Sequence, residues 1–290
     1  MERNRFLVET SWLAEHLDDP QLRIVDMRGY VRTVERDGVQ EAEYVGARED
    51  YEQGHIPGAV YIDWSEDITD PNDPVEAQIA SPERFAALME RLGIGDDHLV
   101  VAYDAHPASQ FATRLWWALN YYGHRDVVVL NGGLNKWRQE NHPLDTAIPT
   151  YPVTTFTPIV QTQLRATAED VLSFIGQQDV TLVDARERGQ YTGELVRGQG
   201  RPGHIPTALS LPREEVIDPD TGTFRSNEEL AQVFSSAGVV PEQRVVAYCN
   251  GGVAATTLLF SLAMLDYPNL TNYDGSWNEW GKRQDLPTEV

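Results

Sequence analysis

The chain has 290 residues, of which 41% are hydrophobic, 23% charged and 9% aromatic, a balance that describes about two average globular domains and excludes a disordered or fibrous protein. Its 45 acidic against 23 basic residues leave a net charge of −22, which repels nucleic acid and anionic lipid, and no basic patch offsets it. A single cysteine, Cys249, excludes an intrachain disulfide framework, a CxxC redox pair and a cysteine-rich zinc site.

In chain order, Met1-Glu2-Arg3-Asn4-Arg5 leads into Phe6-Leu7-Val8-Glu9 without the apolar stretch of a signal peptide. No apolar run approaches the roughly 18 to 20 residues of a membrane span, so a cytoplasmic protein is expected. Residues 22–25 read as a short strand ending in Asp26-Met27-Arg28, followed by the turn Gly54-His55-Ile56-Pro57. A helix capped by Ser81 covers 85–91 and closes at Gly93; a strand over 99–103 ends at Asp104; a helix over 113–122 and a strand over 127–130 follow. Pro143, Pro149, Pro152 and Pro158, with no helical period between them, mark an extended linker.

The series then repeats. Thr181-Leu182-Val183-Asp184-Ala185-Arg186 matches Arg23-Ile24-Val25-Asp26-Met27-Arg28, and Gly203-His204-Ile205-Pro206 matches the first such turn. A helix capped by Ser226 over 230–236 closes at Gly238, and Val245-Val246-Ala247-Tyr248 repeats Val100-Val101-Ala102-Tyr103. A helix over 254–265 follows, and Asp274-Gly275-Ser276 with Trp280 matches Asn131-Gly132-Gly133 with Trp137. The chain is one domain written twice, with boundaries expected at 1–145, a linker at 146–161 and a second copy at 162–290. Apolar strands without in-out alternation suit a parallel sheet covered on both faces, so each copy is expected to be a three-layer α/β sandwich. The first copy is longer in two places: by nine residues between its Asp-x-Arg strand end and its Gly-His-Ile-Pro turn, and by two just after Tyr103.

Cys249 follows a strand and precedes Asn250-Gly251-Gly252-Val253-Ala254, after which a helix begins. Ligand chemistry in open α/β sheets sits at the C-terminal ends of strands, and successive N–H groups of a glycine-rich loop, aided by a helix N-terminus, converge on one anion. A thiol placed there is expected to favour its thiolate form. The alternative is a buried structural cysteine.

The strand-Cys-loop-helix unit, the two Gly-His-Ile-Pro turns, the Asp-x-Arg strand ends and Tyr273-Asp274-Gly275-Ser276-Trp277-Asn278-Glu279-Trp280-Gly281 together resemble the tandem-domain rhodanese family, the thiosulfate and 3-mercaptopyruvate sulfurtransferases. The resemblance implies two rhodanese-like domains with the second catalytic: Cys249 as the sulfur-carrying nucleophile and Asn250, Gly251, Gly252, Val253 and Ala254 as its cradle. It implies an anionic sulfur donor and a thiol or cyanide as acceptor, a thioredoxin-like thiol among them. Arg186 is the expected holder of the donor's anionic group. Asp104 stands where the second copy has Cys249; a carboxylate cannot attack a sulfane sulfur and is expected to be repelled from an anion cradle, which makes the first copy silent. Asp26, Asp184, His55 and His204 recur in both copies and read as structural.

The neutral loop is nearer the mercaptopyruvate group, but Gly251 stands where that group has a serine and Thr192 where it has a second arginine. Thiosulfate is therefore the expected donor, with Arg197 or Arg201 supplying the missing charge and Asp63, which resembles an interface acid of the mercaptopyruvate group, as a further site candidate. A cysteine phosphatase needs Cys-x5-Arg, and position 255 is Ala255. A non-catalytic sulfur carrier or regulatory module is the other class in play. A peroxide-reducing thiol lacks a second cysteine to resolve it. No metal-ligand cluster or glycine-rich nucleotide loop is visible, so neither metal nor cofactor is expected.

Overall fold

The computed structural model describes residues 5–36, 39–198 and 200–290. The first copy comprises β1 (Leu7–Val8), α1 (Thr10–Glu15), β2 (Leu22–Asp26), β3 (Gly29–Arg36), β4 (Val39–Gly46), α2 (Arg48–Gln53), β5 (Val60–Tyr61), α3 (Pro82–Arg91), β6 (Leu99–Tyr103), α4 (Gln110–Tyr121), β7 (Val127–Leu130) and α5 (Gly133–Gln139). The second comprises β8 (Arg165–Ala166), α6 (Ala168–Phe174), β9 (Val180–Asp184), α7 (Arg188–Tyr191), β10 (Leu209–Ser210), α8 (Asn227–Ser236), β11 (Arg244–Tyr248), α9 (Ala255–Met264), β12 (Leu270–Tyr273) and α10 (Ser276–Trp280). Among the described residues no helix is long and apolar enough to cross a membrane.

Each copy builds a five-stranded parallel sheet, ordered β1-β7-β6-β2-β5 in the first and β8-β12-β11-β9-β10 in the second, the same order of equivalent strands. The strands are apolar on both faces because both faces are covered. Val100 and Ala102 of β6 point into one core, while Val101 and Tyr103 point into another. In β11 the same alternation sends Val245 and Ala247 one way and Val246 and Tyr248 the other.

The two sheets share their inner core: Val100, Ala102, Val245 and Ala247 belong to one cluster, with Phe111 and Leu115 of α4 and Leu258 and Leu262 of α9 between them. These two helices are buried along nearly their whole length, as helices apolar on every side must be. Their contact also carries polar pairing, with the Thr113 hydroxyl 3.0 Å from that of Thr256. Leu13, Leu134 and Trp137 close the outer face of the first copy; Val171, Trp277 and Trp280 close that of the second.

The additional length of the first copy is accommodated in an antiparallel ribbon, β3 paired with β4. Asp37-Gly38, a strong hairpin-turn dipeptide, joins the strands in sequence but lies outside the described residues. The linker is extended but strapped to the first copy. Phe156 is buried against Phe85, the Asp96 N–H donates to the Thr155 carbonyl at 3.0 Å, and the Ile159 N–H to that of Tyr122 at 2.8 Å.

Candidate active site

β11 ends at Tyr248 and delivers Cys249, 3% exposed, to the lining of a cavity of about 460 Å3. α10 holds the loop that follows. The N–H groups of Trp277 and Asn278 donate to the carbonyls of Cys249 and Asn250 at 3.0 and 2.8 Å. The buried Ser276 hydroxyl accepts from the N–H groups of Cys249 and Gly252, 3.0 Å each, and donates to the Tyr273 carbonyl. Gly252 has φ +69°, and a Cβ there would stand 2.7 Å from the Asp274 carbonyl oxygen, so only glycine makes this turn. This corrects one expectation: the Gly252 N–H faces Ser276 instead of the cradle, and the residue's part is steric. The N–H groups of Asn250, Gly251, Val253 and Ala254 take no protein acceptor among the described residues, and Ala255 opens α9.

The first copy shows what such a ring of N–H groups does. Asp104 Oδ1 accepts the His106 N–H at 2.9 Å, and Oδ2 accepts those of Phe111 and Ala112 at 2.8 and 2.9 Å. By the repeat, Phe111 and Ala112 correspond to Ala254 and Ala255. The expectation that the side chain is repelled from the cradle is therefore corrected: Asp104 is seated in it, where backbone donors at a helix N-terminus offset part of the cost of burying its charge. Burial nevertheless pushes its carboxyl up to about 7 against the three N–H bonds that pull it down. In the first copy the cradle is thus filled from within, by the side chain of Asp104.

Asp184 and Asp26 hold equivalent arginines. Arg186 Nε and Nη2 reach the Asp184 carboxylate, the closer pair at 2.6 Å, and Nη2 also reaches the Gly203 carbonyl. Arg28 makes the same bonds to Asp26 and Gly54. Arg186 lines the Cys249 cavity and stacks 4.2 Å from the Trp277 ring, but its guanidinium is largely engaged in tying strand end to turn, as Arg28 does in the first copy. His55 and His204 stack on Tyr51 and Tyr191 and donate to their carbonyls through Nδ1–H, pinning the turns.

Arg197 lines the cavity and meets Glu187 at 3.4 Å. Arg201 does not line it: its guanidinium donates to the carbonyls of Leu286, Trp280 and Arg283 and ties down the C-terminal segment. Asp63 does not line it either; it accepts from the N–H and hydroxyl of Ser65 and shapes a turn.

Both length differences between the copies converge on this cavity. The ribbon contributes Gly29, Tyr30, Val31, Ala42 and Tyr44, and the longer loop after Tyr103 contributes His106. Tyr44 accepts at its hydroxyl from the Asn278 amide at 2.9 Å, and burial pushes its phenol up to about 12. Arg213, which no motif marked, also lines the cavity. Beneath the Cys249 loop the copies are locked by a buried pair, Arg114 Nη1 to Asp274 Oδ1 at 2.6 Å. A larger cavity of about 930 Å3, lined by Phe6, Trp12, Trp116 and Tyr267 among others, lies away from Cys249.

The rhodanese-like domain family matches residues 9–140 and 167–283. A sulfur carrier protein, TtuD, of Thermus thermophilus is 38% identical over 97% of this chain and 95% of its own length. A 3-mercaptopyruvate sulfurtransferase of Escherichia coli is 34% identical over 98% of both chains, and a putative thiosulfate sulfurtransferase of Mycolicibacterium smegmatis 32% identical over 100% and 99%. The crystal structure of SseA from Escherichia coli, a 3-mercaptopyruvate sulfurtransferase, superposes with a TM-score of 0.81 at 31% identity, covering 94% of this chain and 98% of that one. With both copies matched by one family and full-length relatives above 30% identity, the chain belongs to the rhodanese family of sulfurtransferases and carries two rhodanese-like domains in tandem.

Proposed function

We propose that the protein moves a sulfane sulfur from thiosulfate to a thiol or cyanide through a persulfide on Cys249. The observation that carries this reading is the cradle itself: one thiol at the end of β11, followed by a loop and helix start equivalent to those whose N–H groups hold the Asp104 carboxylate in the first copy. The Cys249 thiolate attacks the outer sulfur of thiosulfate; a Cys–S–S bond forms, the bond between the two donor sulfurs breaks, and sulfite leaves with the electron pair. The acceptor thiolate or cyanide then attacks the terminal sulfur and Cys249 departs as thiolate, a two-step transfer. The cradle N–H groups stabilise the anion at both stages, in the manner of an oxyanion hole. Arg186, fixed by Asp184, holds the strand end that carries one wall of the same cavity.

3-Mercaptopyruvate is the second reading, favoured by the neutral loop Asn250-Gly251-Gly252-Val253. Sulfur transfer from it breaks a C–S bond and leaves a carbanion that must take a proton to become pyruvate. The hydroxyl beside Gly251 is that of Tyr44, 3.3 Å from where a Cβ would stand, and a phenol pushed up to about 12 is a weak proton donor. Sulfite leaves thiosulfate without needing a proton, which favours thiosulfate. Mass spectrometry after each donor tests the reading. One added sulfur on Cys249, absent in Cys249→Ala, supports it, and an unmodified Cys249 with both donors overturns it. Higher kcat/KM with 3-mercaptopyruvate than with thiosulfate reverses the choice of donor.

A further inference from the structure

Two groups in the Cys249 cavity are left over once the fold's own bonds are assigned. Arg213 follows β10, its N–H on the Ala185 carbonyl at 3.3 Å, next to Arg186. Among the described residues its Nε–H is buried without an acceptor, and its Nη2 meets the half-exposed carboxylate of Glu214, at 2.9 Å. A buried donor left unpaired destabilises a fold, whereas an exposed carboxylate couples weakly to its partner. His106 comes from the opposite copy, on the loop that is two residues longer. The Ala108 N–H donates to its Nδ1 at 3.0 Å, which leaves the ring proton on Nε2. Burial and the nearby Arg213 push the imidazole down to about 4, so the ring is neutral. Arg186, by contrast, makes the same bonds as Arg28 in the silent copy, and that duplication marks it as structural.

We propose that the Arg213 Nε–H and the His106 Nε2–H form a seat for the donor's anionic head, the sulfonate of thiosulfate or the carboxylate of 3-mercaptopyruvate, so that the silent copy is a substrate-binding half. Both groups only donate, so an anion is what they accept. Glu187, Glu214, Arg186 and Arg197 face the same cavity, and the carboxylates offset part of the arginine charge. A neutral imidazole donor and one guanidinium therefore suit a small, compact anionic head. The proposal rests on the sulfurtransferase reading above.

The test uses Arg213→Gln, Arg213→Lys and His106→Ala in the full chain. Arg213→Gln raises the KM of both donors about tenfold or more with a smaller loss in kcat, Arg213→Lys recovers part of it, and His106→Ala raises KM by about threefold. Binding of sulfite and of pyruvate, measured by titration calorimetry, reads the seat without turnover and weakens by the same factors. KM values and anion affinities within twofold of wild type in Arg213→Gln overturn the proposal; if that variant does not fold, unchanged anion affinity in His106→Ala overturns it. A wild-type Cys249 that takes no sulfur refutes the sulfurtransferase reading alone, because anion binding still decides the seat.

Discussion

Arg114 and Asp274 meet in the interior between the two copies, 2% and 0% exposed at the side chain. Arg114 Nη1 also donates to the Gly252 carbonyl at 3.2 Å and Nη2 to that of Ala77 at 3.0 Å. Replacing Arg114 with Leu leaves Asp274 with the Ile79 N–H at 2.9 Å and the half-buried Arg165 guanidinium at 3.3 Å. Gly252 keeps a donor in the Asn272 amide, at 2.9 Å, and the Ala77 carbonyl loses its own. Breaking a buried pair from one side costs about 3–5 kcal/mol, and the surviving partners of Asp274 put Arg114→Leu near the lower end, about 3 kcal/mol. That corresponds to a fall in Tm of roughly 6–12 °C. Urea unfolding followed by tryptophan fluorescence measures it, and a cycle with Asp274→Asn and the double variant isolates the pair. A loss below about 1 kcal/mol, or additive single effects, would show that the interface is solvated or that Arg165 alone compensates Asp274, and would refute the reasoning.

Ser276→Ala removes the acceptor of two buried N–H groups in the Cys249 loop, and is expected to cost about 1–3 kcal/mol and to slow sulfur uptake by Cys249 in stopped-flow measurements; an unchanged rate would show that α10 does not hold the loop. The pH dependence of stability separates two neighbouring groups with opposite signs. Asp104, raised from its ordinary value to about 7, binds more protons folded than unfolded, so its contribution falls as pH rises from about 4 to 7. His106, lowered from 6.5 to about 4, binds fewer, so its contribution rises with pH over about 4 to 6.5. The two oppose one another in the wild type, and Asp104→Asn should unmask a stability that climbs across that window in urea titrations at stepped pH; a flat or falling profile counts against it. Because the net charge of −22 repels anions at long range while the cavity attracts them locally, the KM for thiosulfate should fall as salt screens the outer field, and a steady rise with salt would contradict that picture.

Local patterns in the chain were enough to place both sheets. Uninterrupted apolar runs such as Val100-Val101-Ala102-Tyr103 signal strands covered on both faces, and Ser81 and Ser226 mark helix starts, because period and capping act within a few residues. Repetition of those patterns revealed the duplication, and the mismatch of Asp104 with Cys249 distinguished the copies. What the side chains meet was decided elsewhere. Asp104 is stabilised in its cradle by N–H groups seven and eight residues on, which converge only when α4 docks. Arg201 leaves the cavity because the C-terminal segment folds back over it. Arg114 finds Asp274, and His106 and the β3–β4 ribbon reach the Cys249 cavity, only because the copies share one inner core. The sequence by itself determined the two sheets, the repeat and the position of the one thiol at a strand end, since these follow from neighbours along the chain. The walls of the site and the groups that face a donor were decided by tertiary structure, because packing two copies face to face brings together residues that no local period relates.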